Sequence, residues 1–253
     1  ELCVVPSDLD RLRDQLLVIA KQNRVPLDQG QLSLDQLISE HMSRAKTSCQ
    51  QLISSTTREL VTAVIYPQCC RSHVTRFERL DYEIDASQYK NYELNDPWIK
   101  ALIDDLRALL VVSWQHKHVI HREAWWQLIV AVLEQLLTDM ERVITTKLCF
   151  SPLGAIQLAN DVRHLFEFTA ALVAPDHSVR NQFTRMLQIC SLLGLERVTE
   201  VYDYWTPTLQ EVPTNDEGEQ SDTIKWSLTV DQVRVVLKRR RDFKADLVDR
   251  LKL

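Results

Sequence analysis

The densest group of residues that could bind a metal lies near the middle of the sequence, at His116, His118, His121 and Glu123. If this segment is helical, His118 and His121 share one face, where an imidazole pair can bind zinc. The spacing is not that of a His-Glu-x-x-His motif, and the sequence offers no obvious third ligand. The alternative is a polar helix entrance with exposed imidazoles. We favour this alternative and predict no metal, and a metal enzyme or hydrolase built on these histidines is the rival hypothesis.

Cys69, Cys70 and His73 form a second group, and Arg76 is the only nearby residue that could join them in a site. Cys69 and His73 would share a helix face. Adjacent cysteines rarely form a disulfide, and packing or surface thiols explain this group better than a reactive thiolate does. The remaining cysteines are scattered, with no spacing typical of a disulfide or zinc framework. We therefore expect reduced thiols in a cytosolic protein. The other four cysteines are Cys3, Cys49, Cys149 and Cys190.

The familiar catalytic signatures are absent from the sequence. It contains no Gly-x-Ser-x-Gly, Walker loop, Gly-x-Gly-x-x-Gly or Cys-x-x-Cys motif. No pair of carboxylates stands in an apolar stripe, where desolvation would separate their pKa values. We predict a non-catalytic protein that uses no cofactor.

A basic run marks the end of the chain. Residues 229–253 carry eight Lys or Arg against four Asp or Glu, which gives +4 in a chain whose net charge is −5. A run of this kind is usually a solvated helix face, and a contact with a protein or an anionic membrane is the alternative. Nucleic-acid binding is disfavoured because only Phe243 is available for stacking. The candidate contact residues are Arg234, Lys238, Arg239, Arg240, Arg241 and Lys244.

The elements that would position these residues are helices. The chain has 4 glycines in 253 residues, where average usage is about 7%. Tight turns and phosphate loops depend on glycine, so little remains except helices joined by short polar turns. An apolar stripe from Leu34 to Val64 predicts a helix on the order of 45 Å long, and Pro67 should kink or restart it. We predict an all-α fold of two consecutive helical bundles with long rod-like helices.

Capping signals and composition set the expected boundaries. We expect a helical bundle or rod over residues 1–80, a linker over 81–96 and a C-terminal bundle over 97–253, with an acidic loop at 206–228. Asp96-Pro97 and Ser151-Pro152 each combine an N-cap with proline at the first helical position. Asp176 should cap a further helix. Thr229 and Gln232 have the spacing of a capping box. No apolar run reaches the length of a membrane-spanning helix.

Several longer segments carry a resemblance to a known family. They are Tyr92-Glu-Leu-Asn-Asp-Pro-Trp98, the stretch from Leu153-Gly-Ala-Ile-Gln-Leu-Ala-Asn-Asp-Val-Arg163 to Phe183-Thr-Arg185-Met186, the stretch Leu195-Glu-Arg-Val-Thr-Glu-Val-Tyr-Asp-Tyr-Trp205, the stretch Trp226–Arg234, and the endings Arg241-Asp-Phe243 and Arg250-Leu-Lys-Leu253. Together they resemble the C-terminal regions of subunit four of the conserved oligomeric Golgi complex, a family of helical-rod tethers. Clear matches cover about residues 92–253. The sequence departs from the family at Gly154-Ala155, where relatives tend to carry two glycines, and in a longer loop at 206–228.

This resemblance implies a function as well as a fold. It implies a non-catalytic scaffold subunit of a vesicle tether, peripheral on the cytosolic face of the Golgi, which supports retrograde intra-Golgi transport and so glycosylation. The expected partners are the other subunits, together with SNARE proteins and a Sec1/Munc18-type regulator through the full-length protein. Nucleic acid is not an expected partner. The alternative function is that of a helical adaptor or another tether subunit that binds SNAREs or anionic membrane.

Two groups within the matching segments invite specific hypotheses. Arg185 is expected to clamp its helix to the start of the final one, near Asp231 and Gln232, with a surface arginine as the alternative. A second group, Glu196, Arg197, Glu200 and Asp203, has a spacing that places one charged ribbon on a helix. We expect this ribbon to be a partner-facing surface, and a solvated face is the alternative. Trp205 and Trp226 are expected to pack where the final helices dock.

Overall fold

The structure is a computed structural model that describes residues 11–12, 14–16, 18, 34–92, 98–115, 122–173, 177–204 and 226–253. These residues form helices and turns, and among them extended pairing is limited to two isolated β-bridges. The predicted all-α class is therefore confirmed. No helix among the described residues is both long and apolar enough to cross a membrane.

The chain divides into two compact units that are interleaved in sequence. The first comprises Glu1–Pro67 with Arg107–Val132, and the second Gln68–Leu106 with Leu133–Leu253. This division differs from the expected consecutive one, because two long helices of the middle region contribute residues to both units. These are α5, Trp98–Gln115, and α6, Arg122–Thr146.

The described part of the first unit is dominated by the rod-like helix α1, Leu34–Leu60. At 27 residues it is about 40 Å long. It continues into a π-helical turn, Val61–Ile65, and then into α2, Tyr66–Cys69. Pro67 explains this irregularity, since it lacks an N–H and its ring crowds the carbonyl of Ala63 four residues earlier. A turn at Cys70 interrupts the helix, which restarts as α3, Arg71–Phe77, so a restart is found shortly after Pro67.

The second unit is built from α3 and the helices that follow it. They are α4 (Ala86–Tyr92), the first part of α5, the second part of α6, α7 (Pro152–Leu172), α8 (Arg180–Leu193), α9 (Val201–Tyr204), α10 (Val230–Leu237) and α11 (Ala245–Asp249). Helix α8 contacts both α7 and α10. Its apolar side, which includes Phe183, Ile189 and Leu193, is fully buried. Burial of this kind is the main source of stability for an amphipathic helix.

Two of the predicted helix starts are confirmed. Ser151 caps α7 by accepting a hydrogen bond from the Gly154 N–H, with proline following the cap. Thr229 and Gln232 form both halves of the capping box of α10. Helix α8 begins at Arg180, later than a cap at Asp176 would place it, and Asp176 itself lies outside the described residues.

Two residues of the expected linker over residues 81–96 are buried in the structure. Tyr82 is 1% exposed and Ile84 is 8% exposed, so both belong to the core of the second unit. The segment then enters α4 through Asp85, whose carboxylate accepts the N–H groups of Ser87 and Gln88. The side chain of Gln88 in turn accepts the Asp85 N–H, which completes a capping box. The sequence did not reveal this burial, because two buried residues in a short segment produce no periodic apolar pattern.

Candidate functional site

A buried carboxylate lies at the centre of the second unit. Asp161, on α7, is 1% exposed. Its Oδ2 accepts hydrogen bonds from the Tyr82 hydroxyl at 2.9 Å and the Trp98 indole N–H at 3.2 Å. Gln157, one turn earlier on α7, donates to Oδ1 at 3.0 Å. The hydroxyl of Tyr92 completes the group at 3.3 Å.

This arrangement joins two of the sequence segments that resembled one family. Tyr92 and Trp98 bound the first segment, and Gln157 and Asp161 are polar residues of the second. Their side chains meet on one carboxylate although 63 positions separate Trp98 from Asp161 in the chain. The residues that carry the resemblance are therefore used to hold α4, α5 and α7 together.

Burial governs the protonation of this carboxylate. Desolvation raises the pKa of Asp161, and the hydrogen bonds from Tyr82, Gln157, Trp98 and Tyr92 partly offset that rise. Burial also raises the pKa of Tyr82, so the phenol stays protonated and donates. No cation is paired with Asp161 among the described residues. The Trp98 N–H also donates to the Tyr82 hydroxyl at 3.1 Å, so the side chains are bonded to one another as well as to the carboxylate, and the group is suited to fixing helices.

A close backbone approach places α7 against this centre. The Ser151 N–H donates to the Tyr82 carbonyl at 3.0 Å, and the Ser151 hydroxyl donates to the Ile84 carbonyl at 2.8 Å. A Cβ atom on Gly154 would stand 1.7 Å from the Tyr82 carbonyl oxygen. The first turn of α7 can therefore lie on the Tyr82 backbone only because position 154 has no side chain.

Arg185 on α8 does form a clamp, with partners other than those predicted. Its guanidinium makes two hydrogen bonds to the carboxylate of Glu141 on α6, and it donates to the Ser227 carbonyl at 2.7 Å. The bonds to Glu141 raise the pKa of Arg185. The clamp therefore joins α6 and α8 to the segment that leads into α10.

The predicted clamp partners Asp231 and Gln232 are used elsewhere. Asp231 is 94% exposed and lies 3.5 Å from Arg234. The side-chain oxygen of Gln232 accepts the Thr229 N–H within the capping box. Both side chains bond within their own helix and its cap, so neither is available to Arg185. Glu141 was missed because it lies 44 positions from Arg185, and nothing in the local sequence marks it.

The four residues of the predicted charged ribbon do not share one α-helix. Glu196 and Arg197 precede a 3-10 turn, Val198–Glu200, and only Asp203 lies in α9. The Glu200 carboxylate accepts the Glu196 N–H at 2.9 Å, which ties the turn together. Glu196, Arg197 and Asp203 are exposed and Glu200 is half-buried. The helical spacing argument is therefore wrong, and their role as a partner-facing surface stays a prediction.

The basic run is mostly part of the fold instead of one solvated helix face. Helix α10 ends at Leu237, so most of the run lies in the turns that follow. Arg240 is 3% exposed and is enclosed by the carbonyls of Leu193 and Leu195, the carboxylate of Asp242 and the ring of Phe243. Charge patterning missed this because a buried and an exposed arginine look alike in sequence.

The neighbours of Arg240 in the run are also engaged. Lys238 pairs with Asp249 at 2.6 Å, and Arg241 pairs with Glu83 at 2.8 Å. Arg234 donates to the Leu251 carbonyl at 2.9 Å. Arg239 is half-buried, and its carbonyl accepts the Phe150 N–H. Lys244 alone among the six has an exposed side chain with no ion-pair or hydrogen-bond partner in the described part of the chain, although its carbonyl accepts the Leu247 N–H.

The second metal candidate is also explained by packing. The Nε2 of His73 lies 2.7 Å from Asp105 on α5, and burial raises the pKa of the Cys70 thiol to about 12. The described residues contain no group of three potential ligands that could hold a metal ion. His116, His118 and His121 lie outside the described residues, as does Trp205. Trp226 is half-buried.

Comparison with known proteins gives a family match that includes the two segments whose side chains meet at Asp161. Residues 8–235 match the family described as "Conserved oligomeric Golgi complex subunit 4, C-terminal". Relatives named "Conserved oligomeric Golgi complex subunit 4" include those of Homo sapiens, 26% identical over 89% of this chain, and of Arabidopsis thaliana, 28% identical over 84%. A third, from Dictyostelium discoideum, is 23% identical over 95%.

The chain spans about a quarter of the length of these relatives, 25–26% in each case. The family match, by contrast, extends over nearly the whole of this chain and includes the Tyr92–Trp98, Gln157–Asp161 and Arg185 positions described above. From this extended match we conclude that the chain belongs to the family of C-terminal regions of conserved oligomeric Golgi complex subunit 4.

Proposed function

We propose that this chain is a non-catalytic scaffold region within a multisubunit tether at the Golgi. The observation that carries the proposal is the family match over residues 8–235. The described architecture supports it, because the conspicuous polar side chains are used in packing. Asp161, Arg185 and Arg240 each bind other parts of the same unit and leave no free catalytic arrangement among themselves.

The finer aspects of the function follow from the same membership. In the proposal, the full-length protein assembles with other subunits of the complex and stays peripheral on the cytosolic face of the Golgi. It supports retrograde intra-Golgi transport, and thereby glycosylation. SNARE proteins and a Sec1/Munc18-type regulator are further proposed partners of the full-length protein. A rod such as α1 suits this role, because a long helix offers a large surface for its size.

The test uses the full-length protein in cells that lack it. Full-length protein and a version from which these 253 residues have been deleted are each tagged, and the other subunits are recovered by affinity purification. We expect the deletion to recover fewer subunits and to leave cell-surface glycans truncated, as measured by lectin binding. Full recovery of the subunits together with normal glycans would contradict the proposal.

A further inference from the structure

A groove lies in the second unit between the 3-10 turn Val198–Glu200 with α9 on one side and residues 242–251 on the other. Its volume is about 430 Å³. Its floor is apolar, with Val198, Phe243 and Leu251 each less than a tenth exposed. Two large side chains at its rim remain in solvent, since Tyr202 is 45% exposed and Leu247 is 52% exposed. Apolar side chains on floor and rim can receive an apolar group from outside.

The cations of this groove differ from those of the neighbouring fold. Arg197, Lys244 and Arg250 line the groove, are exposed, and have no ion-pair partner among the described residues. Lys238, Arg240 and Arg241, by contrast, are each paired with a carboxylate. A cation that is paired with a carboxylate attracts an outside anion only weakly. The three groove cations have no such pair, so their attraction for an outside anion is retained.

The spacing of two of these cations defines the ligand that would fit. Lys244 and Arg250 flank the two ends of α11, the five-residue helix Ala245–Asp249, and are therefore about 9 Å apart along its axis. Leu247 lies midway between them. An extended peptide advances about 3.3 Å per residue, so acidic side chains two or three positions apart span the same distance.

From this geometry we propose that the groove binds a short acidic segment of a partner protein, with one or two apolar side chains between two acidic ones. The inference rests on the proposed scaffold function and adds the chemistry of one partner. The acids of the segment meet Lys244 and Arg250, with Arg197 on the opposite wall. An apolar side chain packs against Leu247 and the floor.

The carboxylates of the groove are compatible with such a segment. Glu196 has no ion-pair partner in the described part of the chain, and its carboxylate can accept a peptide N–H. Asp242 is already neutralised by Arg240. Asp242 therefore does not cancel the charge of Lys244 and Arg250, and Glu196 is ion-paired with neither of these cations.

An anionic membrane fits this surface less well. Attraction to an anionic leaflet grows with the number of cations near its surface, and this groove has only three without an ion-pair partner among the described residues. Asp246 and Asp249 lie on α11 between the two cations, and Glu196 lines the same groove. Asp249 is paired with Lys238, but Asp246 and Glu196 would repel an extended anionic surface. A peptide can instead place its acids only at Lys244 and Arg250.

The test measures binding of the 253-residue chain to a fluorescein-labelled peptide of sequence Asp-Glu-Leu-Phe-Glu-Asp by fluorescence anisotropy. We expect Lys244→Glu with Arg250→Glu to raise the Kd about tenfold or more, since two attractive contacts become repulsive. Leu247→Ser should weaken binding about threefold by removing apolar contact. The control, Arg71→Glu with Arg180→Glu, makes the same change in charge at two exposed cations of the same unit that have no ion pair among the described residues, and it should leave Kd within about twofold.

Three results would overturn the inference. They are absence of peptide binding by the wild-type chain, equal binding of a peptide with lysines in place of the acids, and a Kd unaffected by the Lys244 and Arg250 substitutions. Flotation with phosphatidylserine vesicles is run in parallel. Vesicle binding that depends on Lys244 and Arg250, without peptide binding, would assign the groove to lipid and would also reject the inference. Recovery of the other subunits by the full-length protein is scored separately, so failure of the groove leaves the scaffold proposal intact.

Discussion

At the scale of single residues, Asp161 shows how a polar group can be placed inside an apolar core. Its two oxygens collect donors from Tyr82, Trp98 and Gln157, so that each buried group has a partner. A carboxylate without a cation is costly at this depth, and its raised pKa reflects that cost. The benefit is directional, since an apolar side chain could pack at position 161 but could not orient a phenol and an indole.

The free energy of unfolding should change with pH because Asp161 changes its protonation state. The pKa of Asp161 is raised above its ordinary value of 3.8 in the folded protein. The folded state therefore binds the proton more tightly than the unfolded state does. The stabilisation that this difference gives is fully present below pH 3.8 and is lost as pH rises through the pKa of Asp161 in the folded state. We expect Asp161→Asn to remove this loss, because the amide stays neutral.

Urea unfolding from about pH 4 to pH 7 measures the effect, with the Asn variant as the reference that cancels the other carboxylates. The free energy of unfolding of the wild type should fall relative to that of Asp161→Asn as pH rises. Asp161→Ala is the second variant and should lose about 2–4 kcal/mol near pH 4, because it leaves buried donors without their acceptor, and this loss should shrink as pH rises. A constant difference between wild type and Asp161→Asn would show that the carboxylate does not titrate in this range.

The Arg185 clamp makes a prediction about coupling. Arg185→Ala should lower the free energy of unfolding by about 1–2 kcal/mol, a value discounted because the side chain is 38% exposed. Combined with Glu141→Ala, the loss should be smaller than the sum of the single losses by at least about 0.5 kcal/mol, since both remove one ion pair. Chemical denaturation of the four proteins of the cycle measures this.

The matched control is the cycle with Asp231→Ala, a residue that pairs with Arg234 instead. The Arg185 and Asp231 losses should add. A coupled Asp231 cycle, or an additive Glu141 cycle, would mean that the clamp has been assigned to the wrong partner.

At the scale of elements, the position of α7 is set by backbone as much as by side chains. Tyr82, Phe150 and Arg240 form two isolated parallel bridges that bring three separate parts of the chain side by side. Ser151 caps α7 directly beside these bridges and bonds to the carbonyls of Tyr82 and Ile84. The start of the helix, its cap and the bridged segments therefore form one connected unit.

Gly154→Ala tests this close approach. The added Cβ would meet the Tyr82 carbonyl at 1.7 Å, and backbone atoms cannot move aside as a flexible side chain can. We expect the free energy of unfolding to fall by about 2–3 kcal/mol, although alanine is the better helix former. Thermal or urea unfolding measures the change.

Gly194→Ala is the matched control at the end of α8. There the nearest atom to the new Cβ is the Cys190 carbonyl oxygen at 3.3 Å, and φ is −80°. The change should be within about 1 kcal/mol. If both substitutions lowered the free energy of unfolding equally, the close approach of the Tyr82 carbonyl would not require glycine at position 154.

At the scale of the whole molecule, most charges near the end of the chain are bonded within the second unit, and a smaller set is exposed with no ion-pair partner among the described residues. This open set includes the groove cations and the exposed residues Glu196 and Asp203. For a scaffold, the separation matters because substitutions in the open set should change binding without unfolding the protein.

Reversal of Glu196 and Glu200 to lysine in the full-length protein tests this separation. The fold should be retained, with only the bond from the Glu196 N–H to Glu200 lost. Rescue of glycosylation in cells lacking the protein should be impaired, as read by lectin binding. The control is Glu59→Lys with Glu167→Lys, which makes the same charge change at exposed helix positions and should rescue normally. Normal rescue by the Glu196 and Glu200 variant would remove these residues from the partner surface.

The sequence alone was sufficient for the features that depend on neighbours along the chain. Apolar spacing and scarce glycine predicted helices, Pro67 predicted the irregularity after α1, and cap spacing predicted the starts of α7 and α10. These features are local, because a helix and its cap are decided within a few residues. The family segments were also visible, since a string of residues is itself a local pattern.

Only the tertiary structure decided which distant residues meet. It assigned Glu141 to Arg185, four donors to Asp161, and a buried position to Arg240 in a run that looked solvated. It also placed Tyr82 and Ile84, two residues of the expected linker, in the core. The physical reason is the same in each case. Hydrogen bonds and burial depend on which surfaces the packed helices bring together, and the spacing of residues along the chain does not contain that information.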